Sequence, residues 1–142
     1  MIVVVDASVA AKWFFCEEHS DAALNLLDNN FELNAPDLIF VELDSLLCKR
    51  VRRRELSIQE AIEIDKKIRS MPIQAYSTPT LRQRAFRLAL ETRSSIYDCL
   101  YLSLAEALEC PLVTADNKFF QALKGSPIGS QMQWVEDLRI EN

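Results

Sequence analysis

The sequence predicts an α/β protein, a Rossmann-like three-layer sandwich with a central, mainly parallel sheet of four to five strands. Short apolar runs of strand length alternate along the chain with longer segments of helical pattern. Such alternation is typical of a parallel sheet with helices on both faces. The 142 residues are 49% hydrophobic, which suits one core. Since no linker or internal repeat divides the chain, we expect a single domain over residues 1–142.

The strands are predicted from β-branched and apolar runs. The first is Ile2–Val5, which has the composition of a buried strand. The others are expected, in chain order, at Phe31–Ala35, Ile73–Tyr76, Leu112–Thr114 and near Gln133–Val135.

The helices are predicted from their capping and breaking residues. Ser57 and Glu60 fit a capping box, and Ser20 is expected to cap an earlier helix. The residues expected to face inward from that earlier helix are Ala23, Leu24 and Leu27. The predicted helices are Val9–Phe15, Ser20–Asp28, Asp37–Arg54, Ser57–Arg69, Thr78–Thr92, Ser95–Glu109 and Lys118–Leu123.

The composition argues against several kinds of site. With only two glycines, Gly125 and Gly129, the chain has no Gly-rich phosphate loop or dinucleotide fingerprint. The single histidine, His19, lies in a polar loop, which argues against a Ser-His or Cys-His nucleophile. The four cysteines form no C-x-x-C pair, so we expect reduced, buried thiols and no zinc site.

The same composition argues against a membrane protein. No apolar run reaches the roughly 20 residues of a membrane span. The N-terminal MIVVVD lacks the basic region of a signal peptide. We therefore expect no membrane association and a cytoplasmic location.

The distribution of charge is compatible with a nucleic-acid partner but does not require one. The net charge of −5 is unfavourable for phosphate contacts, but the basic residues are clustered. One cluster is the run Lys49–Arg54, and a later segment carries Arg82, Arg84, Arg87 and Arg93. Each is compatible with a solvated helix end, which the helix dipole favours, and with a surface that follows phosphates.

Three acids are predicted near the carboxyl ends of the strands, where parallel sheets have their functional crevice. Asp6 follows the first strand, Asp116 follows the fourth, and Asp98 lies in the first turn of its helix. Each has a structural alternative, because Asp6 and Asp116 could be N-caps and Asp98 could simply face the helix dipole. Together they could hold a divalent metal.

A fourth acid, Glu42, lies on a helix face with Leu38, Ile39 and Leu46. An ionised carboxylate on such a face needs a partner, since burial without one is unfavourable by several kcal/mol. Asp44 has the same difficulty, so this criterion does not choose between them. For an α/β enzyme with the composition above, carboxylates are the remaining chemistry.

At these positions the chain resembles the PIN-domain ribonucleases of the VapC-like toxin group, and the match runs nearly end to end. The matching segments are Val4–Val9, Pro36–Leu47, Tyr97–Ala105 and Leu112–Asp116, followed by Lys118-Phe119. Two positions differ: Ser45 stands where the family often has Asn, and Cys99 where Ala is more usual. Neither difference removes a carboxylate.

The resemblance implies a PIN-like domain that hydrolyses RNA with Mg²⁺ or Mn²⁺ and leaves 5′-phosphate and 3′-hydroxyl ends. It implies Asp6 and Asp98 as direct metal ligands, with Asp116 and Glu42 as further ligands or water-positioning groups. Ser8 and Thr114 would orient them by hydrogen bonds. It also implies toxin activity controlled by a small antitoxin protein, which would bind between the helices at Ser20–Asp28 and Ser57–Arg69, and a homodimer.

Other classes fit less well. A receiver-type phosphoacceptor domain needs paired acids after its first strand and an Asp after its third, and a dehalogenase-type phosphatase needs Asp-x-Asp. Here Asp6-Ala7-Ser8 holds a single acid, and Tyr76-Ser77 ends the third strand without one. The remaining alternative is a catalytically inactive PIN scaffold that binds RNA or protein.

Overall fold

The fold is known from a computed structural model, which describes residues 1–28 and 30–138. Its strands are β1 Ile2–Val5, β2 Glu32–Pro36, β3 Ile73–Tyr76, β4 Leu112–Thr114 and β5 Met132–Trp134. Its α-helices are α1 Ala7–Ala10, α2 Ser20–Asp28, α3 Leu38–Arg52, α4 Ile58–Arg69, α5 Thr78–Thr92, α6 Ile96–Leu108 and α7 Asn117–Leu123. Short 3₁₀ turns occupy Ala11–Trp13, Pro127–Gln131 and Val135–Asp137.

The five strands form one sheet in the order β3-β2-β1-β4-β5, and every neighbouring pair is parallel. The α/β fold expected from the sequence is therefore confirmed, with a sheet that is wholly parallel. The chain moves outward from β1 through β2 to β3 and then returns to place β4 on the other side of β1. This reversal puts a crevice beyond the carboxyl ends of β1 and β4.

The core surrounds β1 and α6. Val3, Val4 and Val5 are all 0% exposed, and since successive side chains point to opposite faces, both faces of β1 are covered. Every residue of α6 from Cys99 to Ala105 is buried. A helix that is apolar all round belongs in the interior. It packs on β1, β2 and β4 and against α5, so Asp98 at its start is held rigidly at the sheet edge.

Several local predictions are confirmed. β3, α5 and β4 have the predicted bounds. At the start of α4, Ser57 Oγ accepts the N–H of Glu60 at 3.0 Å, and Glu60 Oε1 accepts the N–H of Ser57 at 3.0 Å. This is the capping box that the sequence predicted.

The inward face predicted for α2 is right for Ala23 and wrong for Leu24 and Leu27. Leu24 and Leu27 are 39% and 38% exposed, whereas Ala23 and Leu26 are buried. Both pairs have helical spacing, so periodicity did not separate them. Contact with Trp13 determines which face of α2 is buried, because the indole N–H donates to the carbonyl of Ala23 at 2.8 Å and α2 packs against the turn that carries Trp13.

The structure also corrects the expected positions of some small polar residues. Ser20 lies inside α2; its hydroxyl donates to Phe15 O at 3.1 Å and accepts from Glu17 N at 2.9 Å. Cys16 and Cys48 are free but exposed, so only Cys99 and Cys110 are buried thiols as expected. Within residues 1–28 and 30–138, no helix combines the length and apolarity that a membrane crossing requires.

Candidate active site

Asp6 lies directly after β1, where it caps α1 and is only 6% exposed. Its Oδ1 accepts hydrogen bonds from Ser8 Oγ at 2.5 Å and from Val9 N at 3.2 Å, and Thr114 Oγ1 donates to its Oδ2. Burial outweighs these donors and raises the pKa of Asp6 from 3.8 to about 6. Of about four lone-pair sites on the carboxylate, three are used and one remains for a ligand.

Two hydroxyl groups join the carboxyl ends of β1 and β4. Besides binding Asp6, Ser8 Oγ accepts the N–H of Ala115 at 2.9 Å. Thr114 Oγ1 likewise accepts the N–H of Asp116 at 3.1 Å. The orientation of Asp6 and the course of the backbone after β4 are thus set by one hydrogen-bond network.

Asp98 and Asp116 line a shared cavity of about 330 Å³. Asp98 is half-buried in the first turn of α6, and its N–H donates to Ser95 Oγ at 3.1 Å. Asp116 is exposed and caps α7 by accepting the N–H of Phe119 at 3.1 Å. The remaining residues of the cavity wall are Arg93, Ser94, Ser95, Lys118, Phe119 and Ala122.

Both capping alternatives for Asp6 and Asp116 are therefore observed. The caps do not exclude a site, because each uses only part of a carboxylate. A cap also fixes the carboxylate at the edge of the sheet, which favours a site there.

Glu42 lies half-buried in the first half of α3, and its partner is Tyr101 on α6. The phenolic oxygen of Tyr101 donates to Glu42 Oε1 at 2.6 Å. Burial, followed by the charge of Glu42, raises the pKa of Tyr101, so the hydroxyl remains a donor. Sequence reasoning missed this role for Tyr101, although its place three residues after Asp98 puts it on the same helix face.

Asp44, the competing acid on α3, points elsewhere. It is exposed, and its carboxyl group interacts with that of Asp65 on α4 in a groove between the two helices. Burial, and then the hydrogen bond and charge of Asp65, raise the pKa of Asp44 to about 6. The structure therefore separates Glu42 from Asp44, which the apolar pattern alone did not.

Asp98 lies within electrostatic reach of each of the other three acids. Burial is the first cause that raises the pKa of Asp98, and the charges of Asp116 and Glu42 raise it further. The charge of Asp98 in turn contributes to the raised pKa of Asp6. A cation in their midst would relieve this repulsion.

The arrangement is looser than a preformed metal cage. Among the residues that the structure describes, no three Asp, Glu, His or Cys side chains form a ready-made metal cluster. Mg²⁺ often binds through one or two carboxylates and several waters, so it does not need one. A donor set of carboxylate oxygens alone suits Mg²⁺ or Mn²⁺. The residues therefore fit such an ion.

The two basic clusters noted in the sequence lie in different places. The run Lys49–Arg54 covers the last turn of α3 and the two residues after it. Arg52 is ten residues beyond Glu42, about 15 Å along the helix. In the later cluster, Arg84 pairs with Glu106, with Arg84 Nε 2.7 Å from Glu106 Oε1. Arg93 alone of the two clusters lines the cavity.

A model of the PIN domain matches residues 3–124. The chain belongs to the PIN-domain family, and the resemblance seen in the sequence is confirmed.

Three known proteins show the range of the similarity. Ribonuclease VapC3 of Pyrobaculum aerophilum is 32% identical over 120 residues, which cover 83% of this chain and 92% of the relative. The crystal structure of PAE2754 from the same organism has a TM-score of 0.68 and 25% identity, covering 96% of this chain and 90% of that one. A toxin–antitoxin complex from Klebsiella pneumoniae has a TM-score of 0.64 at 12% identity, covering 96% and 99%. At that identity the likeness shows the fold alone.

Proposed function

We propose that this protein is an endoribonuclease, the toxin of a toxin–antitoxin pair, and that it depends on Mg²⁺ or Mn²⁺. The observation that carries the proposal is the convergence of Asp6, Glu42, Asp98 and Asp116 at the switch point of the sheet. It is supported by membership of the PIN-domain family and by the 32% identity to a relative named ribonuclease VapC3.

In this proposal the acids divide the work by their exposure. Asp98 and Asp116 line the cavity and would hold the ion. Asp6, held by Ser8 and Thr114, would contribute its remaining lone pair. Glu42, fixed by Tyr101, is a further ligand or orients a water molecule through its other oxygen.

The ion, when bound, supplies positive charge that stabilises the phosphodiester transition state and lowers the pKa of water. The chain's own part is to hold the carboxylates in a fixed alignment. The hydrogen bonds to Asp6 favour its ionised form against the effect of burial.

The proposed partners are an RNA substrate, a small cognate antitoxin and a second copy of the chain in a homodimer, and the proposed location is the cytoplasm. The antitoxin is suggested by the VapC name of the 32% identical relative. An RNA-cleaving enzyme needs such control to be tolerated by its host.

Replacing Asp98 by Asn tests the proposed chemistry. Asp98→Asn keeps the size of the side chain and removes one charge from the cavity. RNA cleavage in Mn²⁺ should fall at least about 100-fold, the usual range when an electrostatic contact to the transition state is lost. Calorimetry should also show weaker Mn²⁺ binding, and EDTA should stop cleavage by the wild type.

Asp21 provides the matched control, since it is an exposed Asp in the first turn of α2. Asp21→Asn should leave cleavage and Mn²⁺ binding unchanged. Cleavage that persists in EDTA, or full activity in Asp98→Asn, would refute the mechanism. RNA binding by the wild type without cleavage would favour the inactive scaffold instead.

A further inference from the structure

Two basic side chains line the same cavity as Asp98 and Asp116. Arg93 is the C-cap of α5, and Lys118 lies in the first turn of α7. Both are exposed. Within the described ranges, neither is within 4.0 Å of a carboxylate oxygen, although two acids share their cavity. Both charges are thus available to a ligand.

Not every cation among the described residues forms an ion pair, and Arg82 and Arg87, on the same helix as Arg93, form none. The cations that do are Lys12, Arg50, Lys66, Arg69 and Arg84. The last of them lies on the same helix as Arg93 and binds Glu106 through two nitrogens, at 2.7 and 2.9 Å. Arg84 therefore has a structural partner, whereas Arg93 has none within residues 1–28 and 30–138.

The backbone of Arg93 adopts a left-handed conformation that is unfavourable for a residue with a side chain. Its φ of 60° and ψ of 18° are left-handed, and its N–H closes α5 on Ala89 O at 2.9 Å. Glycine is the usual residue at such a helix end, because a side chain there is strained. Among the described residues, no hydrogen bond or ion pair of the Arg93 side chain offsets this strain, which leaves the guanidinium able to bind a ligand.

We propose that Arg93, together with Lys118, binds backbone phosphates of single-stranded RNA beside the four acids, an inference that rests on the proposed ribonuclease function. RNA approaching four carboxylates meets repulsion. Two cations on the cavity wall offset it where the strand must enter. A guanidinium can bind a phosphate through two hydrogen bonds, and an ammonium acts as a compact charge.

The size of the cavity selects the form of RNA. At about 330 Å³ it is near the lower end of ligand pockets, which run from about 300 to 1,000 Å³. That volume admits one nucleotide with its phosphate at a time, which favours a single strand.

Arg93→Gly separates binding from folding, because it removes the charge and also relieves the backbone strain. The matched control is Arg54→Gly: Arg54 has a φ of 59°, is exposed, and lies past the far end of α3. Affinity is measured by fluorescence anisotropy with a short labelled oligouridylate in EDTA, over a range of salt. Both variants should keep or raise the melting temperature Tm.

Of the two glycine variants, only Arg93→Gly should bind the oligouridylate more weakly than the wild type, by about tenfold, as expected for loss of one charged hydrogen bond. Its slope of log K against log salt should shrink by about 0.7, the value for one single-strand phosphate. Arg93→Lys should retain the slope. Lys118→Gln should behave like Arg93→Gly, and Lys124→Gln, at the other end of α7, like the wild type.

Wild-type affinity in Arg93→Gly would overturn the inference, as would an equal loss of affinity in Arg93→Gly and Arg54→Gly. In either case a wild type that cleaves RNA with Mn²⁺, beside an inactive Asp98→Asn, would leave the proposed function standing. A wild type that neither binds nor cleaves RNA would overturn both.

Discussion

The hydroxyl of Tyr101 supplies a hydrogen bond to the half-buried carboxylate of Glu42. Its bond to Glu42 joins α6 to α3 across 59 positions of sequence. Without it, the half-buried Glu42 carboxylate would lose a hydrogen-bond donor, which is unfavourable. The hydroxyl therefore fixes the direction of Glu42.

Tyr101→Phe removes this bond and leaves the ring in place. We expect the rate of RNA cleavage to fall about tenfold, because Glu42 loses its fixed orientation. The free energy of unfolding should fall by about 1 to 2 kcal/mol. Rates in Mn²⁺ and thermal unfolding measure the two effects.

Tyr76→Phe is the control, since Tyr76 donates to Asn34 Oδ1 at 3.2 Å on the β3 side of the sheet, away from the four acids. It should affect stability alone. An unchanged cleavage rate in Tyr101→Phe would contradict the role given to that hydroxyl.

At the scale of elements, α3 and α4 are joined by two acids that share a proton. The folded pKa of Asp44, about 6, lies above its ordinary 3.8, while hydrogen bonds from Asp44 and Arg69 lower the pKa of Asp65. Between about pH 4 and pH 6 the folded protein thus holds a proton that the unfolded chain has lost. Stability contributed by Asp44 falls as the pH rises through this window and stays reduced above it.

Asp44→Asn should therefore raise the Tm relative to the wild type at pH 7.5, because the amide can donate to Asp65 without needing a proton. The gain should disappear near pH 5, where Asp44 of the wild type is protonated. Thermal unfolding of both proteins over this range is the measurement. Asp28→Asn, an exposed acid on α2, is the control and should show no such change with pH. A gain that is independent of pH would contradict the shared proton.

At the scale of the molecule, the proposed ion would join elements that are far apart in sequence. Its candidate ligands follow β1 and β4 and lie on α3 and α6. An ion that binds only when these elements are assembled stabilises the folded state by mass action. The site and the fold are therefore coupled.

Mn²⁺ should accordingly raise the Tm at pH 7.5. At 100 times its Kd the stabilisation is about 2.7 kcal/mol, or roughly 8 °C for a domain of this size. Asp98→Asn should show a much smaller rise, and EDTA should reverse the effect. An equal rise in wild type and variant would mean that the ion binds elsewhere.

Much of this architecture could be predicted because its signals are local. The bounds of β3, α5 and β4 follow from apolar runs and prolines, and the capping box at Ser57 depends on residues three apart. No such local signal identifies the buried face of α2. Leu24 and Leu27 repeat with the same period as Ala23 and Leu26, and only contact with Trp13 distinguishes them.

The sequence by itself determined the parallel α/β fold, because periodicity and order along the chain encode it, and its resemblance to the PIN-domain ribonucleases pointed to the family and to the four candidate carboxylates. The tertiary structure alone decided that Tyr101 holds Glu42, that Asp44 faces Asp65, and that Arg93 shares a cavity with Asp98. These relations depend on how helices pack against one another. Packing brings together side chains whose separation in sequence carries no trace of their contact.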